Sequence, residues 1–165
     1  MVRLNPQTHH RELVHLRWGL VPSWADDPSI SSRLTHARAE TVATKPAFRD
    51  AFRQRRCLVV VDSFYLAKSG RGRRRSYVIQ MKDGRPFGVG GIWERSQQGG
   101  AEPVETCAVI TTEANELVGP INDRMPVIVA EEDYEAWLDP EFRDAEELAR
   151  MMSPFVAEAM VVTPR

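Results

Sequence analysis

The chain is poor in cysteine. Two among 165 residues, Cys57 and Cys107, are too few for a disulfide framework or a cysteine-based zinc site. Both lie in apolar runs and read as buried thiols in a reducing compartment. Long apolar stretches are also lacking: no run approaches the roughly 18 residues that cross a bilayer as a helix. The opening Met1-Val2-Arg3-Leu4-Asn5-Pro6 lacks the apolar core of a signal peptide. A cytoplasmic protein is the expectation. No Walker loop, dinucleotide fingerprint or zinc-protease helix is present. His9, His10 and His15 do not form a metal-ligand pattern, so neither metal nor cofactor is expected.

What is present fits one globular domain of ordinary length, spanning residues 1–165. Hydrophobic residues make up 42% and charged residues 27%, which argues against disorder. The net charge of −1 conceals an asymmetry. Residues 1–85 carry 17 basic and 7 acidic side chains, net +10; residues 86–165 carry 5 and 16, net −11. Nineteen of the 22 basic residues are arginine, whose fork suits bidentate phosphate recognition. Two readings stand: the halves neutralise each other in the fold, or the first half presents a nucleic-acid face.

Residues 12–21 read as a strand with Leu13, Val14, Leu16, Trp18 and Leu20 as its apolar positions, broken by Pro22 to Pro28. Residues 29–35 read as a solvent-exposed loop. Residues 45–54 read as a helix, with Thr44 as cap and Pro46 in the first turn. Residues 57–64 form an apolar, β-branched run, a buried strand. Residues 69–75, including Arg71, Arg73, Arg74 and Arg75, read as a flexible basic loop, either solvated or extending a basic groove. Residues 77–81 and 87–93 flank Asp83-Gly84, a hairpin signal. Further strands are expected at 106–111, 127–130 and 159–162, one helical turn at 113–117, and helices beginning at 131 and spanning 144–152. Strands dominate and helices are interspersed, so the class is α+β.

Four segments carry more. They are Arg17-Trp18-Gly19-Leu20-Val21-Pro22-Ser23-Trp24, Ala37-Arg38-Ala39-Glu40-Thr41, Arg56-Cys57-Leu58 with Asp62-Ser63-Phe64-Tyr65, and Asp123-Arg124-Met125-Pro126-Val127-Ile128. In order and spacing they resemble the SRAP family (SOS response-associated peptidase), whose members form covalent crosslinks to abasic sites in single-stranded DNA. Residues 111–117 and the pair Trp137-Leu138 also resemble the family, so the likeness covers nearly the whole chain. It implies a partly open β-barrel-like core with flanking helices. It also implies a chemistry: an N-terminal cysteine captures the ring-opened sugar aldehyde through its amine and thiol and closes to a thiazolidine. An asparagine, a glutamate and a histidine hold the sugar and move protons.

The sequence departs from that pattern at each of these positions. Met1 aligns partway into the domain, so the expectation is that the family's N-terminal segment and its cysteine are missing. The asparagine position is His36, the glutamate position Leu66 and the histidine position Asn122. Leucine moves no proton and asparagine does not titrate. No intact catalytic set is expected. The resemblance carries the phosphate-contacting arginines onto Arg38 and Arg124, and a DNA-flanking tryptophan onto Trp24, where an exposed indole would contribute ~1–3 kcal/mol per stacked base.

Each assignment has a structural counterpart. Trp18, alternating with Leu16 and Leu20, reads as core, whereas Trp24 reads as surface. Arg38 pairs with Glu40 or another carboxylate if it does not meet phosphate, and Arg124 with Asp123. His36 is a neutral structural imidazole or a replacement general base with no nucleophile in view. The function expected is a degenerate SRAP-family domain that binds single-stranded DNA, at abasic sites, without covalent chemistry, and so associates with the nucleoid. Two alternatives remain: a late-started piece of a crosslinking enzyme, or an interaction remnant forming a homodimer through an exposed sheet edge.

Overall fold

The computed structural model describes residues 1–70, 73–97 and 102–165. The described elements, in chain order, begin with β1 (Val2–Leu4), β2 (Arg11–Leu13), β3 (Arg17–Trp18), β4 (His36–Arg38) and α1 (Arg49–Gln54). Next come β5 (Arg56–Val61), β6 (Ser63–Gly70), β7 (Arg73–Met81), β8 (Phe87–Ser96) and β9 (Val104–Glu113). The chain closes with β10 (Arg124–Pro126), β11 (Ile128–Val129), α2 (Tyr134–Leu138), α3 (Ala145–Met151) and β12 (Met160–Pro164). The larger sheet runs β10-β9-β8-β5-β1-β2, with β11 on β8 and with β3 and β4 parallel to β9. It curls into a half-barrel. A second sheet, β12-β7-β6, lies across its open side. The fold is α+β, and the helices flank the larger sheet as expected.

Two apolar clusters hold these layers together. One joins the helices to the large sheet through Phe52, Leu58, Ile92, Ile110, Trp137 and Leu148. The other lies between the sheets around Ile79, Phe87, Val89, Met125 and Met160. Gly90 lets Trp137 reach the sheet: a Cβ there would come within 3.0 Å of the indole. The indole Nε1 donates to the Cys57 carbonyl at 2.9 Å. Beneath the helices, the buried Arg56 guanidinium donates to the carbonyls of Phe52, Trp137, Asp139 and Phe142. These acceptors lie at helix ends and in the loop after α2, which lack intrahelical partners. Burial pushes the Arg56 pKa down to about 10, which leaves it a cation at neutral pH.

Several local expectations are corrected. Residues 12–21 do not form one strand. β2 and β3 are separate, and the chain turns at Gly19, whose φ is +114°. Residues 28–33 form a 3-10 helix capped by Asp27, whose carboxylate accepts from the Ser29 N–H at 2.8 Å. α1 starts only at Arg49, after two overlapping turns, and Thr44 does not cap it; its hydroxyl donates to the Thr41 carbonyl. Residues 116–121 form turns rather than a helix, and the Asn115 side chain accepts from the Val118 N–H.

The Asp83-Gly84 turn forms, with Gly84 at φ +72°, but β7 and β8 do not pair. Both edges of β7 are taken by β6 and β12, and β8 pairs with β5 and β9 instead. The turn is a corner between sheets. The basic stretch is not a free loop either, since β6 extends to Gly70 and β7 begins at Arg73; residues 71 and 72 lie outside the described residues. The large sheet ends at β2, a three-residue edge carrying Leu13, 72% exposed; the homodimer expectation would fall on this edge.

Gly19 is the position where the fold tolerates no side chain. Its φ disfavours other residues, and a Cβ would meet the Ser31 carbonyl oxygen at 2.7 Å. Gly19→Ala is expected to cost about 2 kcal/mol. A chemical denaturation midpoint equal to that of the parent would refute this.

Candidate nucleic-acid interface

Strand register builds the site. In β9, Thr106, Ala108, Ile110 and Thr112 turn into the helix-side core and are buried, so Cys107, Val109, Thr111 and Glu113 face the other way. Paired residues share a face. Trp18 pairs with Cys107, His36 with Val109, Arg38 with Thr111, and Arg124 with Glu113. Four residues from three distant segments are thereby set along one side of one strand. Opposite them stand Phe64, Tyr65 and Leu66 of β6. The gap between the sheets is a cavity of about 880 Å³, mostly apolar, to which Trp18, His36, Leu66, Asn122 and Arg124 all contribute.

His36 and Trp18 form a fixed unit. The Trp18 indole Nε1 donates to the Thr35 carbonyl at 2.9 Å. The two rings meet edge to face, with centroids 5.3 Å apart and planes at 74°. His36 Nδ1 lies 3.0 Å from the Thr35 hydroxyl. Partial burial pushes the imidazole below its ordinary pKa, so it favours the neutral form.

Arg124 and Arg38 differ sharply. Arg124 grips Glu40 through both Nη atoms, one pair at 3.0 Å, and also donates to the Thr111 carbonyl. Its Nε is buried and has no hydrogen-bond partner among the described residues. Arg124 and the weaker field of Arg38 hold the Glu40 carboxyl below its ordinary range. The Arg38 guanidinium is exposed and forms no ion pair or hydrogen bond among the described residues. Glu40 thus pairs with Arg124, and neither Arg38–Glu40 nor Arg124–Asp123 is formed as an ion pair.

Asn122 contributes to the cavity wall, yet its Oδ1 accepts from the Arg124 N–H at 3.0 Å, a local turn. Leu66 adds only hydrocarbon. Cys107 borders the cavity and Cys57 packs with it and Trp93; burial pushes both thiols up, which keeps them protonated and unreactive. Trp24 is 56% exposed but does not reach the cavity. Among the described residues no group of three His, Cys, Asp or Glu side chains is placed to hold a metal. No helix among them is long and apolar enough to cross a membrane.

Comparison with known proteins matches residues 1–164 to the model of the SOS response associated peptidase (SRAP) family. The chain belongs to the SRAP family. It is 37% identical over 158 residues to the abasic site processing protein YoqW of Bacillus subtilis, covering 95% of this chain and 70% of that protein. It is 30% identical over 164 residues to the abasic site processing protein HMCES of Gallus gallus, covering 84% of this chain and 48% of that one. A crystal structure of a protein from Bacteroides thetaiotaomicron superposes with a TM-score of 0.85 at 31% identity, covering 90% of this chain and 67% of that chain.

Within this SRAP fold, four of the expected positions, His36, Leu66, Asn122 and Arg124, meet at one cavity; Arg38 shares the face and Trp24 stands apart. Two residues were missed. Trp18, expected in the core, is 58% exposed at the cavity mouth. The signal was Gly19: a positive φ between Trp18 and Leu20 breaks the alternation, so Leu20 is buried while Trp18 turns out. Glu40, the partner of Arg124, lies 84 residues away in sequence, and local pattern does not reveal such a pair.

The lowered His36 pKa has a signed consequence. The unfolded chain takes up a proton first, at about pH 6.5. The folded state is therefore unpenalised above that pH and loses stability as pH falls below it towards the folded value. His36→Asn should lose less stability than the parent between about pH 7.5 and about pH 5.5, measured as urea midpoints. Equal losses would show that His36 carries no such linkage.

Proposed function

We propose that this SRAP-family chain binds single-stranded DNA at abasic sites reversibly, without forming a covalent bond, as part of a DNA-damage response. The observation that carries the proposal is the shared face on β9. It sets Arg38, an unpaired cation, beside a cavity roomy enough for a sugar that has lost its base. The relatives that are abasic site processing proteins support abasic DNA as the ligand. The cavity between the two sheets supports a single strand as the ligand, since a sugar enters it at lower cost where the strand is free to bend away from a partner.

The cavity wall supports binding over chemistry. Leu66 supplies no proton, and the Asn122 carbonyl is held in a turn. The wall carries two imidazoles, His15 and His36, and burial pushes the Cys107 and Cys57 thiols up, which leaves them poor partners for a base. In this arrangement Arg38 takes a phosphate flanking the lesion. Arg124, held by Glu40, places its positive charge at the cavity wall, where it attracts the sugar-phosphate.

Fluorescence anisotropy with labelled single strands, with and without one abasic site, tests this reading. Arg38→Ala should weaken binding about tenfold and lower the salt slope by about one unit. Glu40→Gln should strengthen it, because the charge held against Arg124 is removed. Denaturing electrophoresis should reveal no adduct on the abasic strand. An adduct surviving denaturation would overturn the reversible reading, and binding indifferent to salt and to both substitutions would overturn the phosphate contacts.

A further inference from the structure

Of the exposed aromatic side chains, Trp18 is the one whose setting lacks a structural explanation. It is 58% exposed. Its only polar atom is satisfied inside the protein, by the Thr35 carbonyl. What it presents outward is therefore flat hydrocarbon and π surface with no hydrogen bond left to offer water. The ring is also held still, by that hydrogen bond and by the edge-to-face contact with His36. Trp24, comparably exposed, follows Pro22 in a loop and does not reach the cavity.

The surroundings select the kind of ligand. Trp18 stands at the mouth of the cavity, and the Arg38 guanidinium is exposed farther along the same face of β9. A planar ring fixed on the same face as a guanidinium that has no partner among the described residues matches an aromatic group carried on an anionic backbone. We infer that Trp18 is a stacking platform for the nucleobase next to the nucleotide whose sugar enters the cavity. This assignment rests on the DNA-binding reading above and adds to it a residue that reads the base beside the lesion. A sequence-tolerant contact is implied, since every base has a face to stack. The pre-ordered indole loses little side-chain freedom when the base arrives.

Tryptophan emission separates this idea from general DNA binding. Trp93 and Trp137 are buried, so Trp18 and Trp24 are the indoles that DNA reaches. Emission and the anisotropy of a labelled abasic single strand are followed in one titration, using Trp24→Phe and Trp18→Phe proteins. Quenching is expected to persist in Trp24→Phe and to vanish in Trp18→Phe. Trp18→Ala should weaken binding about tenfold while Trp18→Phe, which keeps a ring, retains most affinity. With the unaltered protein, a strand lacking the bases on both sides of the lesion should bind without quenching, which guards against a folding defect in the variants. Normal anisotropy with quenching unchanged in Trp18→Phe would overturn the platform and leave the DNA reading intact. No binding by any protein, the parent included, would overturn both.

Discussion

The site depends on β9 being hydrogen-bonded along both edges. One edge takes β8 and then β10; the other takes β3 and β4 in parallel register. Because pairing fixes both position and face, a single strand converts three separate stretches of sequence into one row of side chains. A slip of one residue in any of these pairings would turn that row into the core. The buried Thr106 side chain reinforces the arrangement, since its hydroxyl accepts from the Val21 N–H at 2.9 Å just beyond the β3 turn. The turn itself relies on Gly19 lying against Ser31.

Charge is distributed around the same framework. Part of the opposition between the basic first half and the acidic second half is resolved by ion pairs across it, Arg3 with Glu105, Arg55 with Glu94 and Arg85 with Glu131. The neutralisation reading is therefore right for these residues. The exposed Arg85–Glu131 pair contributes little, whereas Arg3 and Glu94 are buried and their pairing avoids an uncompensated buried charge. These pairs withdraw cations from the surface and leave Arg38 prominent beside the cavity. The Glu40–Arg124 pair has the further effect of holding one guanidinium against the cavity wall.

Most of the family character was legible in short segments, because each encodes a local geometry. Examples are the strand-and-glycine of Arg17-Trp18-Gly19-Leu20 and the alternating Ala37-Arg38-Ala39-Glu40. The apolar runs of β5 and β9 and the helix over residues 144–152 were legible for the same reason. What escaped was non-local. The Asp83-Gly84 turn has hairpin chemistry, yet pairing was decided by strands from elsewhere that already filled both edges of β7. Trp18 obeyed the period of a strand that Gly19 interrupts. The partner of Arg124 lies in the turn after β4, and Leu66 faces the cavity from the second sheet. Local patterning carries no information about such meetings.

The central claim is that one face of β9 and its neighbours receives an abasic single strand. Backbone amide and indole N–H resonances, followed by NMR as such a strand is added, test it directly. Shifts are expected to cluster at Trp18, His36, Arg38 and Arg124 and to spare α1 and α3, although a second basic groove there carries Arg49, Arg53 and Arg143. Shifts confined to the α1–α3 groove, with the β9 face unmoved, would contradict the account.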